Sequence, residues 1–189
     1  MYETVIKDIQ KLIENKQSIC IAIDGRCASG KTTFSKQLHT AIGGICMHMD
    51  DYFLRPVQRT SERYAEPGGN VDYERFKEEV LIPWSQKQSI RYQPFDCKSM
   101  TLMDAEEIPY QSILIVEGSY SMHSQLNDFY DYRIFMTVDK KKQIERIQKR
   151  NPDKIQKFQD VWIPYEEKYF QYYSIQKQCN TVLDTSEMF

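Results

Sequence analysis

Lys31 stands in the run Gly25-Arg26-Cys27-Ala28-Ser29-Gly30-Lys31-Thr32, which fits the pattern G-x-x-x-x-G-K-[ST] at every fixed position. Glycines at the two ends let the backbone bend so that successive N–H groups point inward and cradle an anion. Lys31 adds a mobile cation for β- and γ-phosphates, and Thr32 a hydroxyl suited to Mg²⁺. Gly25, Arg26, Cys27, Ala28, Ser29, Gly30, Lys31, Thr32 and the adjoining Thr33 are therefore the nucleotide-binding candidates. Cys27 lies among N–H groups that lower a thiol pKa, which leaves open a redox role beside that of an unconstrained loop position.

Carboxylates at two further places suit phosphoryl transfer. Asp50-Asp51-Tyr52-Phe53 follows an apolar run, and a carboxylate there could orient an attacking hydroxyl and accept its proton. A cap or turn would need only one acidic residue, so the pair favours function for one of them. Glu117-Gly118 ends another apolar run, where an acidic residue is the expected second anchor for Mg²⁺. Arg146 and Arg150, four apart, share one helical face and could close over the transferring group. Lys140, Lys141, Lys142 and Lys149 nearby give the competing reading, a solvated basic face.

The elements that must position these residues alternate. Ile19-Cys20-Ile21-Ala22-Ile23 reads as a buried parallel strand, and Phe34 to Leu38 with Ala41 and Ile42 as an amphipathic helix. Gly43-Gly44 breaks that helix before a second strand, Ile45 to Met49. Ile113 to Val116, Arg133 to Val138 and Thr181 to Leu183 supply three more strands. Tyr73 to Leu81, Lys140 to Arg150 and Asp153 to Gln176 are helical in pattern, the last interrupted near Pro164. This alternation implies an α/β fold with a parallel sheet covered on both faces and ligands at the carboxyl ends of the strands. Ile90 to Tyr92 and Ile108 to Tyr110 read as a small hairpin over the site, within an insertion at about 88–110.

At 189 residues the chain suits one domain. Its 25 basic and 27 acidic residues give no general field for polyanions, which disfavours a nucleic-acid partner. Five scattered cysteines without metal-ligand spacing suit a reducing compartment. Met1 to Lys16 carries Val5, Ile9, Leu12 and Ile13 at helical spacing, an amphipathic helix rather than a signal peptide. The apolar runs stay at strand length, so no membrane partner is expected and the location expected is the cytoplasm. A homo-oligomer is compatible with this composition.

Taken together, the phosphate loop, Asp50-Asp51-Tyr52-Phe53, Glu117-Gly118 and the lid-like stretch from Glu145 to Arg150 resemble the uridine kinase group of P-loop kinases. That group includes phosphoribulokinase-like, pantothenate kinase-like and nicotinamide riboside kinase-like enzymes. The resemblance covers about Ile19 to Trp162-Ile163-Pro164. It implies a three-layer α/β/α P-loop nucleoside triphosphate hydrolase fold with five parallel strands, a lid at about 140–153, and ATP and Mg²⁺ as cofactors. It also implies that Asp50 is the catalytic base and that Asp72, in Asn70-Val71-Asp72-Tyr73, binds ribose hydroxyls. Asp50, Asp72, Tyr52 and Arg63 are the acceptor-side candidates, Lys31 and Asp50 the catalytic ones, and Thr32 and Glu117 the metal ligands.

The chain departs from that group where a pyrimidine would be read. Pro94-Phe95-Asp96 resembles the group's Tyr-Asp-Phe segment with Phe95 in place of Tyr, and Met100 stands near the expected base-reading His. Uridine and cytidine are thus expected to be poor acceptors. The expected activity is transfer of the γ-phosphoryl group of ATP to an alcohol of a nucleoside-like metabolite. Its rivals are a kinase of a non-nucleoside alcohol, such as pantothenate or a sugar, and a nucleotide-binding regulatory module. No Asn-Lys-x-Asp guanine-reading motif occurs, which argues against a GTPase switch.

Overall fold

The fold was analysed in a computed structural model that describes residues 2–188. The chain opens with helix α1 (Tyr2–Glu14), which buries Tyr2, Val5 and Ile9 along one stripe as its spacing predicts; Met1 lies outside the described residues. Strand β1 (Ile19–Gly25) follows and is buried along its whole length. Helix α2 (Lys31–Ile42) leads to β2 (Ile45–His48), with Gly43 at φ 71° ending the helix. The insertion carries β3 (Ile90–Tyr92), β4 (Phe95–Asp96), β5 (Thr101–Leu102) and β6 (Glu106–Ile108). Then come β7 (Ile113–Glu117), β8 (Tyr132–Thr137) and β9 (Thr181–Asp184).

Five strands form one parallel sheet in the order β2-β7-β1-β8-β9. Side chains alternate across it, as the period of two requires. Ile19, Ile21 and Ile23 pack with Tyr2, Ile9, Phe34 and Leu38 on one face. Cys20 and Ala22 pack with Tyr52, Phe76, Trp84 and Tyr169 on the other. Both faces are covered by helices, so the three-layer α/β/α P-loop architecture is borne out.

Three differences from the expected elements have local causes. The second strand stops at His48 because Met49–Tyr52 turns into a 3-10 helix. The helical run begun at Tyr73 passes Leu81 and continues to Ser85 through a π-helical stretch, Lys77–Leu81, just ahead of Pro83. Phe158–Trp162 is likewise π-helical just ahead of Pro164, so the interruption expected there is a widened turn and not a break. Proline lacks an N–H and crowds the carbonyl four residues back, and a wider turn relieves both demands.

The hairpin is also more elaborate than two strands around a loop. β3 pairs with β6 in the register Ile90↔Ile108, and β4 pairs with β5 beyond it. Among the described residues no helix is long and apolar enough to cross a membrane.

Candidate active site

The loop after β1 is bent through positive φ at Gly25 (136°), Ala28 (59°) and Gly30 (91°). Gly25 has no room for anything larger, since a Cβ there would lie 2.0 Å from the Met136 carbonyl oxygen. Gly30 caps α2, whose N-terminus opens on a cleft of about 440 Å³ lined by Lys31, Thr32, Thr33, Asp50 and Glu117. Amides at a helix N-terminus favour anions, so the cleft floor suits phosphate groups. The Ser29 hydroxyl, in the same loop, is fully buried without a hydrogen-bond partner. Lys31 donates to the carbonyls of Gly25 at 2.7 Å and Arg26 at 3.0 Å, and to the Ser119 hydroxyl at 3.3 Å.

Thr32 and Glu117 meet across the cleft, the Thr32 hydroxyl donating to Glu117 Oε1 at 3.2 Å. The same oxygen lies 2.6 Å from His48 Nδ1. The hydrogen bond to Glu117 raises the His48 pKa against the effect of burial. A hydroxyl beside a carboxylate is a hard oxygen donor set and fits Mg²⁺ held by one or two protein ligands together with nucleotide phosphates. Among the described residues no cluster of three or more His, Cys, Asp or Glu could hold a metal ion without such help.

Successive residues of the 3-10 turn Met49–Tyr52 point in different directions, and this separates the paired carboxylates. Asp50 is exposed at the cleft mouth, yet protein packs around its inner side. That packing holds its carboxyl above the usual range; Glu117 and Asp51 add to the shift, while Lys31 and His48 oppose it. Asp51 turns toward the hairpin, where Oδ2 accepts from the Tyr92 hydroxyl at 2.8 Å.

Burial and pairing set the surroundings of the other acceptor-side candidates. Tyr52 is fully buried, edge-on to Phe76 with Arg75 over its ring, and so supports the site from behind without reaching an acceptor. Asp72 is 1% exposed and caps Arg75 N–H, with Oδ2 at 3.7 Å from Arg55 and Arg75; its neighbour Asn70 lines the cleft instead. Arg63 is turned into its own segment, clamping Glu74 at 2.6 Å and lying 4.2 Å over Tyr73.

Of the two lid arginines only Arg150 lines the cleft. Arg146 bonds Ala28 O, Thr185 and Met188 O, tying the phosphate loop to the chain's end, so the two do not form one clamp. The Cys27 thiol is driven upward by burial and by Glu166, contrary to an activated thiolate.

Other residues joined to the site escaped sequence reasoning. Asp24 is fully buried just before the loop, where it accepts from the N–H groups of Gly25, Tyr120 and Met122 and from the Tyr169 hydroxyl at 2.6–3.2 Å. Burial raises its pKa to about 6 despite those bonds. A charge inside an otherwise apolar strand was the available signal. Glu166 and Glu167, on the helix Ile163–Tyr172, brace the loop: Glu166 accepts from Cys27 N–H at 2.9 Å, and Glu167 takes the Arg26 guanidinium at 2.6 and 3.1 Å. Their partners lie some 140 positions away (|i−j| 139 and 141), beyond what spacing can show.

No family model matches the chain. A uridine kinase from Lactiplantibacillus plantarum is 29% identical over 142 residues, covering 68% of this chain and 66% of that protein, just under two thirds of its length. A structure from Bacillus stearothermophilus, named as a possible uridine kinase, superposes with a TM-score of 0.75 at 19% identity and covers 97% of both chains. A structure from Silicibacter sp. TM1040, named for a fructose transport system kinase, gives 0.75 at 16% identity, covering 96% of this chain and 98% of that one. The resemblance to uridine kinase-like P-loop kinases is thereby borne out, and the two structural likenesses show the fold.

Proposed function

We propose that this protein is an ATP- and Mg²⁺-dependent kinase that phosphorylates an alcohol group of a small metabolite. The observation that carries the reading is the meeting, in one cleft, of Lys31 and the loop amides with the Thr32–Glu117 pair and with Asp50. Lys31 and the amides hold the phosphates, and Thr32 and Glu117 would hold Mg²⁺, which neutralises charge on the phosphates when bound. Asp50 orients the acceptor hydroxyl and takes its proton as the new oxygen–phosphorus bond forms and ADP leaves. A carboxyl held above its usual range is a better proton acceptor than an ordinary exposed Asp.

Within this activity, the acceptor side favours an alcohol other than a pyrimidine nucleoside. Met100 lines that side, and Phe95 is buried at 4% exposure beneath the Arg59 guanidinium. Neither offers the polar edge that base recognition requires. An ADP-release screen over nucleosides, vitamins and sugars, run beside ATP titration, tests the reading. Turnover of at least one alcohol is expected. ATP binding with no acceptor phosphorylated would replace it with a regulatory nucleotide-binding module.

A further inference from the structure

Beyond Asp50 the cleft continues into a second cavity of about 520 Å³, which shares Phe53, Asn70, Cys97, Lys154 and Trp162 with the phosphate side. Its size suits a small metabolite. Leu54, Met100, Val161 and Tyr165 supply apolar walls. The charged residues lining it are Arg59, Lys154 and Lys157, and no Asp or Glu joins them.

Pairing separates these cations from the other basic residues nearby. Arg26, Arg55, Arg63 and Arg75 each have a carboxylate within 3.7 Å. Among the described residues Arg59 has none; its Nε donates to Leu54 O at 2.9 Å, and the guanidinium lies 5.7 Å over Phe95. Lys157 has none either and stands 4.9 Å over Trp162. Two acidic groups on adjoining segments are engaged elsewhere. Asp96 accepts from the N–H groups of Lys98 and Ser99, and Asp50 faces the phosphate side. Lys154 borders both cavities, but Arg59 and Lys157 line only the acceptor side, so the nucleotide phosphates do not account for them. Like charges facing one concavity repel unless an anion joins them, and such a cavity concentrates anions.

We propose that the acceptor is an anionic alcohol, with its hydroxyl toward Asp50 and its carboxylate or phosphate read by Arg59 and Lys157. This rests on the kinase reading and names the substrate class for it. A planar guanidinium held by Leu54 O and Phe95 keeps its two Nη groups, one bidentate donor edge, for such an anion, while Lys157 adds a point charge.

The test is isothermal titration of the full chain, saturated with Mg²⁺ and the non-hydrolysable analogue AMP-PNP. Probes are matched pairs: pantothenate against panthenol, glycerate against glycerol, and ribose 5-phosphate against ribose. In at least one pair the charged member is expected to bind at least about tenfold tighter, the worth of one charge-assisted contact. The carboxylate and phosphate pairs distinguish which anion is read. Arg59→Gln and Lys157→Gln should erase that preference, whereas Lys98→Gln, an exposed hairpin residue outside the cavity, should keep it. No preference for the charged member of any pair overturns the proposal, as does a preference that survives both substitutions. Loss of AMP-PNP affinity in Arg59→Gln or Lys157→Gln, in place of lost probe preference, also overturns it. Failure of the unmodified protein to bind AMP-PNP would instead refute the kinase reading beneath it.

Discussion

The phosphate half of the cleft takes its cradle from one uninterrupted stretch, Gly25 to Thr33, joined by Asp50 and Glu117, whereas the acceptor half draws Leu54, Arg59, Met100 and Lys157 from separate parts of the chain. The first half is backbone geometry: positive-φ residues, a helix N-terminus and a lysine folded back on its own loop. The second is held by side chains, through Arg63 on Glu74, Arg75 on Asp72 and Glu79, and Tyr92 on Asp51. One half should therefore fail abruptly when a single backbone position is blocked, and the other should loosen in small steps.

The largest expected effect is that of Gly25→Ala. A Cβ placed 2.0 Å from the Met136 carbonyl oxygen, at φ 136°, forces β1 and β8 apart at the loop. Overlap with backbone together with conformational strain should cost more than ~4 kcal/mol. A large fall in melting temperature, or no soluble protein, is the expected observation. A variant melting like the parent would show that the loop does not need this approach.

Next in size is the separation of the two neighbouring carboxylates. Asp50→Asn removes a positioned base, so transfer should slow roughly 10²- to 10⁴-fold, about 3–5 kcal/mol of transition-state stabilisation, with ATP affinity little changed. Asp51→Asn should lose far less, because Asp51 bonds the hairpin through Tyr92 and does not line the cleft. Turnover of both variants with an accepted alcohol checks the contrast. A dead Asp51→Asn beside an active Asp50→Asn would reverse the assignment.

What was legible in the sequence follows the same division. The strand–loop–helix around Lys31 could be read because its pattern is local: alternating isoleucines, glycines at fixed positions, then an apolar helical stripe. On the acceptor side the surroundings of Tyr52, Asp72 and Arg63 were not legible, for one physical reason. Each residue type can contact a ligand, but Tyr52 and Asp72 are buried and Arg63 is paired with Glu74, surroundings that only tertiary packing sets. Arg146 and Arg150 share a helical face, yet Arg146 reaches Ala28 and Thr185, which no helical spacing discloses. Conversely, Asn70 and Trp162 gave no chemical signal of their own and line the site through the path of the chain.

A pH series separates the halves in a third way. Asp24, beneath the phosphate loop, has its pKa raised from 3.8 to about 6, chiefly by burial. A raised folded-state pKa gives stability that is full below the unfolded value and is lost as pH rises through the folded one. The shift of roughly two units corresponds to about 3 kcal/mol. Asp24→Asn removes this titration, so its destabilisation relative to the parent should be largest near pH 4 and shrink toward pH 7. Denaturant unfolding of both proteins at several pH values measures the difference. A pH-independent gap would mean that Asp24 titrates normally.

The smallest effect is the most specific to the acceptor side. Tyr92, at the end of β3, donates its hydroxyl to Asp51 Oδ2 at 2.8 Å and so ties the hairpin to the turn that carries Asp50. Tyr92→Phe keeps the ring and removes only that bond, which is worth about 1 kcal/mol in a partly buried setting. The hairpin supplies Cys97 and Met100 to the acceptor cavity, so the loss should appear as a severalfold rise in acceptor KM. ATP affinity should scarcely move, because no residue of the phosphate loop touches this contact, and the melting temperature should fall by about 2–4 °C. Asp51→Ala should produce a similar rise, and the double variant should add little to either single change, since both remove one interaction. Additive losses would mean that Asp51 has a second partner, and the Mg²⁺ dependence of the Asp51→Ala rate would show whether that partner belongs to the phosphate half. A loss confined to acceptor KM would instead show that the hairpin tunes one half of the cleft while the other stays intact.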